Sequence, residues 1–150
     1  MNKLFCCYPI TDTYLRKKTN DIALHSLKNK KFRAKIVSVY DGDTCNAVFL
    51  HNGKYVKYKI RMYGYDSPEI KPKLNIPNRE DEIRKAKQAR DILKDKILNK
   101  IVIVECLHWG KYGRLLATIY TSRCYRKNLN INEWMVNNNY GKKYFGKKKI

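Results

Sequence analysis

The chain predicts an α+β fold that is mainly β: five strands curled into one small barrel, with two to three α-helices over its open faces. Three observations predict it. Segments of alternating or extended apolar character recur on both sides of an Asn-Gly turn. One long segment carries apolar residues at helical spacing. The length of 150 residues suits one domain with one core.

The elements follow in order. Residues 1–30 lack a sustained period and read as an N-terminal extension with a basic cluster, Arg16 to Lys18, and a short helix from Asp21 to Lys28. Strand character begins at Phe32 and runs through Ile36, Val37 and Val39 to the Asp41-Gly42 turn, then resumes from Cys45 to Leu50. His51-Asn52-Gly53-Lys54 is a hairpin turn, because Asn-Gly tolerates the positive φ that tight hairpins need. Tyr55 to Met62 forms the returning strand. Between Gly64 and Asn78, Pro68, Pro72 and Pro77 argue for a surface loop. Asn78 stands where a helix cap is expected. Glu80, Asp81 and Glu82 follow in the first turn, and Ile83, Ala86, Ala89, Leu93 and Ile97 recur at helical spacing. Ile101 to Val104 and Leu115 to Tyr120 are strands flanking a turn at Gly110 to Gly113, and a short helix spans Ile131 to Asn139. The domain thus runs over 31–146, with a basic tail at 147–150. Three strands, a helix, two strands and a helix suit an antiparallel OB-fold barrel.

Charge narrows the partner. Lys and Arg number 33 against 13 Asp and Glu, a net +20 that favours a polyanion, with DNA or RNA ahead of an anionic membrane. The lysines at 142, 143, 147, 148 and 149 fit delocalised attraction rather than chemistry. No apolar stretch approaches the roughly 18–20 residues of a membrane span, and Leu4 to Pro9 is too short for a secretory signal. An intracellular, cytoplasmic protein is expected, and five cysteines in no regular framework fit a reducing compartment. Cys6-Cys7 has the chemistry of a palmitoylation site, but no helix or first lipid would bring it to a membrane. Cys106 and His108 lack the paired spacing of a zinc site.

Against this basic background, acidic residues gather at two turns. Asp41 and Asp43 straddle a glycine at a strand end, and Asp66 and Glu69 lie just beyond the third strand, which antiparallel pairing brings to the same end. Carboxylates of this kind suit Ca²⁺, and by themselves do not distinguish it from Mg²⁺. Arg61 and Arg114 each offer a planar fork that matches phosphate oxygens. Carboxylates facing a phosphate backbone repel it unless a cation intervenes, so a metal-dependent nuclease is favoured over a non-catalytic nucleic-acid-binding module.

In combination, Val39-Tyr-Asp-Gly-Asp-Thr44, Arg61 with Asp66-Ser-Pro-Glu69, Lys111-Tyr-Gly-Arg114-Leu-Leu-Ala117 and Ile131-Asn132-Glu133 resemble the staphylococcal nuclease-like, or thermonuclease, family over residues 31–146. The resemblance implies Ca²⁺-dependent hydrolysis of DNA and RNA to 3′-phosphorylated products. It implies Asp43 and Asp66 as direct metal ligands, with the Ser67 carbonyl and with Asp41 in the outer shell. Glu69 takes the place of a general base, and Arg61 and Arg114 those of phosphate clamps. Lys111 and Tyr112 would contact the other phosphate of the nucleotide, and Tyr144 or Phe145 would offer a stacking face. Ser67 replaces the family's usual threonine. The interval from Asp43 to Arg61 is long, which requires an extended hairpin tip at 50–55.

Overall fold

The computed structural model describes residues 9–75, 77–122 and 128–146. Strands β1 (Lys31–Val39), β2 (Thr44–His51), β3 (Lys54–Met62), β5 (Ile101–Trp109) and β6 (Leu115–Thr121) close into a barrel in the order β1-β2-β3-β6-β5. A two-stranded sheet outside it joins β4 (Gly64–Asp66) to β7 (Lys142–Tyr144). Helices α1 (Pro9–Leu15), α2 (Arg79–Ile97) and α3 (Ile131–Asn137) complete the fold.

The barrel follows from period-two patterning. Ala34 and Ile36, Cys45 with Ala47 and Phe49, Ile60 with Met62, and Leu115 with Ala117 and Ile119 alternate inward, each at most 2 % exposed. Phe49 lies between Phe32 and Tyr58, with ring centroids 4.4 and 4.7 Å away. Closure needs bending, and the register slips between Ile36 and Ser38 on β1 and between Cys106 and Trp109 on β5. Helix α2 buries Ala86, Ala89, Leu93 and Ile97. Leu93 and Ile97, fully covered, each contribute about 1.5–3 kcal/mol of hydrophobic stabilisation.

Several expectations are corrected. The barrel is mixed rather than antiparallel: β3 pairs parallel to β6 at Ile60↔Leu115, Arg61↔Leu116 and Met62↔Ala117, because β6 returns beside β3 only after the excursion through α2 and β5. Residues 21–28 are not helical. Leu27 is instead buried in the core, and Asn29 N–H donates to the Cys106 carbonyl, tertiary contacts that outweigh an eight-residue helix marginal by itself. The helix in this part of the chain lies earlier, at Pro9–Leu15. The loop expected after Gly64 begins with the short strand β4, held by its pairing to β7. Asn78 does precede α2, but in a left-handed conformation (φ 58°) that makes no side-chain cap; its carbonyl accepts from Glu82 N–H. The true side-chain cap is Asn130, whose oxygen accepts from Glu133 N–H at the start of α3.

Candidate active site at the open end of the barrel

The β1–β2 turn sets the first carboxylates. Asp41 Oδ1 accepts from Asp43 N–H at 3.1 Å, which ties the turn to itself. Gly42 is required by close approach: a Cβ there would lie 2.7 Å from that of Ser67 and 2.9 Å from that of Ala89. Tyr65, buried behind the turn, donates from its hydroxyl to the Gly42 carbonyl at 2.6 Å. Burial holds this phenol well above its ordinary pKa, so it remains a donor.

Asp43 is only 2 % exposed and fully engaged. Its Oδ2 accepts from Ser67 N–H at 2.9 Å and from Ser67 Oγ at 3.0 Å, and its Oδ1 from Thr44 Oγ1 at 3.0 Å and from the Arg61 guanidinium. The other Nη of Arg61 meets Asp66 Oδ1 at 2.6 Å and also faces the Tyr65 carbonyl. One guanidinium therefore bridges two carboxylates, one from the β1–β2 turn and one from β4. The extended hairpin makes this register work. Pairing continues from Thr44↔Arg61 to His51↔Lys54 around Asn52-Gly53, both at positive φ, so the added length sits at the tip and Arg61 stays opposite Thr44.

Asp41, Asp43, Arg61, Asp66, Ser67, Glu69 and Arg114 line one open cleft of about 460 Å³, with Tyr40, Pro68 and Tyr144. Burial raises the pKa of Asp41, opposed by its hydrogen bond to Thr44 and by the charges of Arg61 and Arg114. Glu69 is exposed on the loop leading to α2, its N–H facing Glu82 Oε1. Lys111 and Tyr112 are exposed on the β5–β6 turn and do not line the cleft. The Arg114 guanidinium lies 5.8 Å from the Tyr112 ring centre. The two aromatic candidates separate: Tyr144 lines the cleft, whereas Phe145 packs edge-on to Tyr63 at 5.7 Å.

One residue and one element were missed in the sequence. Tyr40 lines the cleft directly before the Asp41-Gly42 turn, a position that could have marked it. Strand β7 brings Tyr144 beside β4 through the pairs Gly64↔Tyr144, Tyr65↔Lys143 and Asp66↔Lys142, and a three-residue strand leaves no periodic signal. Cys6, Cys7 and the lysines at 147–149 lie outside the described residues. Cys45 and Cys106 are free and buried, and burial pushes their thiols up to about 12 and about 11. Among the described residues no helix is long and apolar enough to cross a membrane.

Among the described residues, no three His, Cys, Asp or Glu side chains form a ready-made metal centre. The donors at hand are nonetheless all hard oxygens, and a guanidinium already bridges Asp43 and Asp66. The pair thus attracts positive charge, and a cation that displaced Arg61 would meet ligands of suitable chemistry.

No curated protein matches the chain. A family model described as staphylococcal nuclease homologue matches residues 59–149, a stretch that includes Arg61, Asp66, Ser67, Glu69 and Arg114, while the fold adds Asp41 and Asp43 to the same cleft. With more than half of its residues matched, and with a closed five-stranded barrel beneath them, the chain belongs to the staphylococcal nuclease homologue family.

Proposed function

We propose that this protein is a divalent-cation-dependent nuclease, Ca²⁺ being the ion best suited to its donors, that hydrolyses phosphodiester bonds of DNA or RNA with little sequence preference and leaves 3′-phosphorylated products. The observation that carries this reading is the convergence of Asp41, Asp43, Asp66 and Glu69 with Arg61 and Arg114 in one cleft. Four acidic side chains facing a polyanion are unfavourable for a module that only binds, and a cation resolves that conflict.

Asp43, Asp66 and the Ser67 carbonyl would hold the ion, with Asp41 acting through water. When bound, the ion supplies charge neutralisation at the scissile phosphate. Arg61, relieved of one carboxylate, would turn its fork to the phosphate oxygens. Arg114 approaches from the β6 side and stabilises charge that develops as the 5′ oxygen leaves. Glu69, exposed to solvent at the cleft, would orient or deprotonate the attacking water. Tyr144 offers a stacking face, and Lys111 and Tyr112 would reach a neighbouring phosphate from the rim of the cleft.

The test is cleavage of single-stranded DNA and RNA in Ca²⁺, Mg²⁺ or chelator. Ca²⁺-dependent cleavage is expected, with Glu69→Gln and Arg114→Ala each lowering the rate by about 10²–10³-fold. Tight, salt-sensitive binding without cleavage in either metal would instead make the chain a binding module.

A further inference from the structure

The cleft accounts for Arg61, but not for the row to which Arg61 belongs. On β3 the residues Tyr55, Lys57, Lys59 and Arg61 alternate outward, while Val56, Tyr58, Ile60 and Met62 face in. Arg61 is the last member of a basic row that climbs the hairpin away from the site. Successive members are about 6.7 Å apart, close to the separation of neighbouring phosphates on an extended strand.

Neighbouring strands widen the row into a face. Lys35 on β1, Val48 on β2 and Lys57 on β3 stand side by side in register, as do Ser38, Asn46 and Lys59. The three strands contain no Asp or Glu. Among the described residues, Lys35, Lys57 and Lys59 take part in none of the ion pairs, whereas Lys31 on the same sheet meets Glu105 at 3.4 Å. The face joins the cleft physically: Lys59 Nζ lies 5.8 Å from the centre of the Tyr40 ring, and Tyr40 lines the cleft. Two rings stand open at the ends of the path, Tyr40 at 60 % and Tyr55 at 81 % exposure.

A solvated lysine face is the simpler account, and lysines along the open part of β3 would also discourage pairing with other strands. That account does not reach Lys35, which is paired on both sides, to Val48 and to Ile101. It also leaves unexplained why the aromatic residues flank the lysines on the exposed face.

We propose that the outer face of β1–β3 is a track for single-stranded nucleic acid leading out of the cleft, with Lys35, Lys57 and Lys59 contacting successive phosphates and Tyr40 and Tyr55 stacking on bases. It rests on the reading of the cleft as a nucleic-acid site. From Tyr55 to Arg61 the path is about 20 Å long, room for about three nucleotides beyond the one in the cleft. Unpaired bases suit it, since stacking on exposed rings requires bases free of a partner.

The experiment measures binding by fluorescence anisotropy in chelator, where no cleavage is expected, for oligothymidylates of about two and about ten nucleotides. The wild-type protein is compared with the triple variant Lys35→Gln, Lys57→Gln, Lys59→Gln and with Tyr55→Ala. The triple variant should bind the longer oligonucleotide about tenfold or more weakly, with its salt slope reduced by about 2, or about 0.7 per phosphate contact. The shorter ligand and its cleavage should be unaffected. Equal affinity of the triple variant and wild type for the longer oligonucleotide would overturn the track while leaving the nuclease intact. So would loss of binding to phosphatidylserine vesicles with oligonucleotide binding unchanged, which would assign the face to lipid. Length-dependent binding that the variant loses, in a protein that cleaves in no metal, would support the track and overturn the nuclease reading.

Discussion

At the residue scale, Arg61 ties the two acidic halves of the cleft together. Its guanidinium neutralises Asp43 and Asp66 at once, and its side chain is only 16 % exposed, so the contacts are poorly screened by solvent. A cation bound by the same carboxylates must compete with it. In Arg61→Gln that competitor is gone, and the carboxylates are left to repel one another. The variant should melt at a lower temperature than wild type in chelator and gain more from added Ca²⁺. Calorimetry without nucleotide should show Ca²⁺ bound about tenfold more tightly, or about 1.4 kcal/mol. Weaker Ca²⁺ binding in the variant would mean that the guanidinium does not compete with the ion. None of this was legible in the sequence, where Arg61 is a phosphate clamp like Arg114. The two arginines occupy different environments, because only Arg61 lies between the β1–β2 turn and β4, which carry the two carboxylates it bridges.

At the element scale, the site depends on ties between parts that are far apart in the chain. Asn132, on α3, is 4 % exposed; its side-chain oxygen accepts from Ile119 N–H at 3.0 Å, and its amide donates to the carbonyls of Tyr63 at 2.8 Å and Ala117 at 3.1 Å. The short α3 thereby fixes β6 and the end of β3, from which the chain enters β4 and reaches Asp66. Asn132→Ala leaves one buried donor and two buried acceptors without this partner. It should cost about 3 kcal/mol or more in urea denaturation. A loss below about 1 kcal/mol would mean that water replaces the amide. The long elements were legible because their periods repeat: β1, β2, β3 and β6 alternate, and α2 carries its apolar stripe over several turns. Strands β4 and β7 have three residues each, too few for a period, and exist through pairing with each other. The parallel β3·β6 seam was equally hidden, since local pattern gives a strand's existence and not its neighbour.

At the scale of the whole molecule, the chain carries +20, whereas the cleft sets four acidic side chains against two arginines and is a small acidic focus on a basic body. A body of this charge attracts polyanions, and under the proposed function the acidic focus is where a cation would stand between carboxylates and phosphates. How much of the N-terminal segment this body needs is written in its contacts. Residues 12–26 are exposed throughout, but Leu27 is 2 % exposed in the core, and the Lys30 carbonyl accepts from Cys106 N–H at 2.9 Å. The sequence placed the start of the domain at residue 31, where strand alternation begins, because one buried leucine in an aperiodic stretch has no pattern to announce it. A chain beginning at residue 24 should therefore match one beginning at residue 12 in unfolding free energy, within experimental error. One beginning at residue 31 should lose about 2–5 kcal/mol, the effect of emptying a leucine site, together with its backbone bonds to β5. Leu27→Ala in the full chain separates these terms: a similar loss assigns the effect to the side chain, and a small loss assigns it to the backbone pairing of residues 29 and 30 with Cys106.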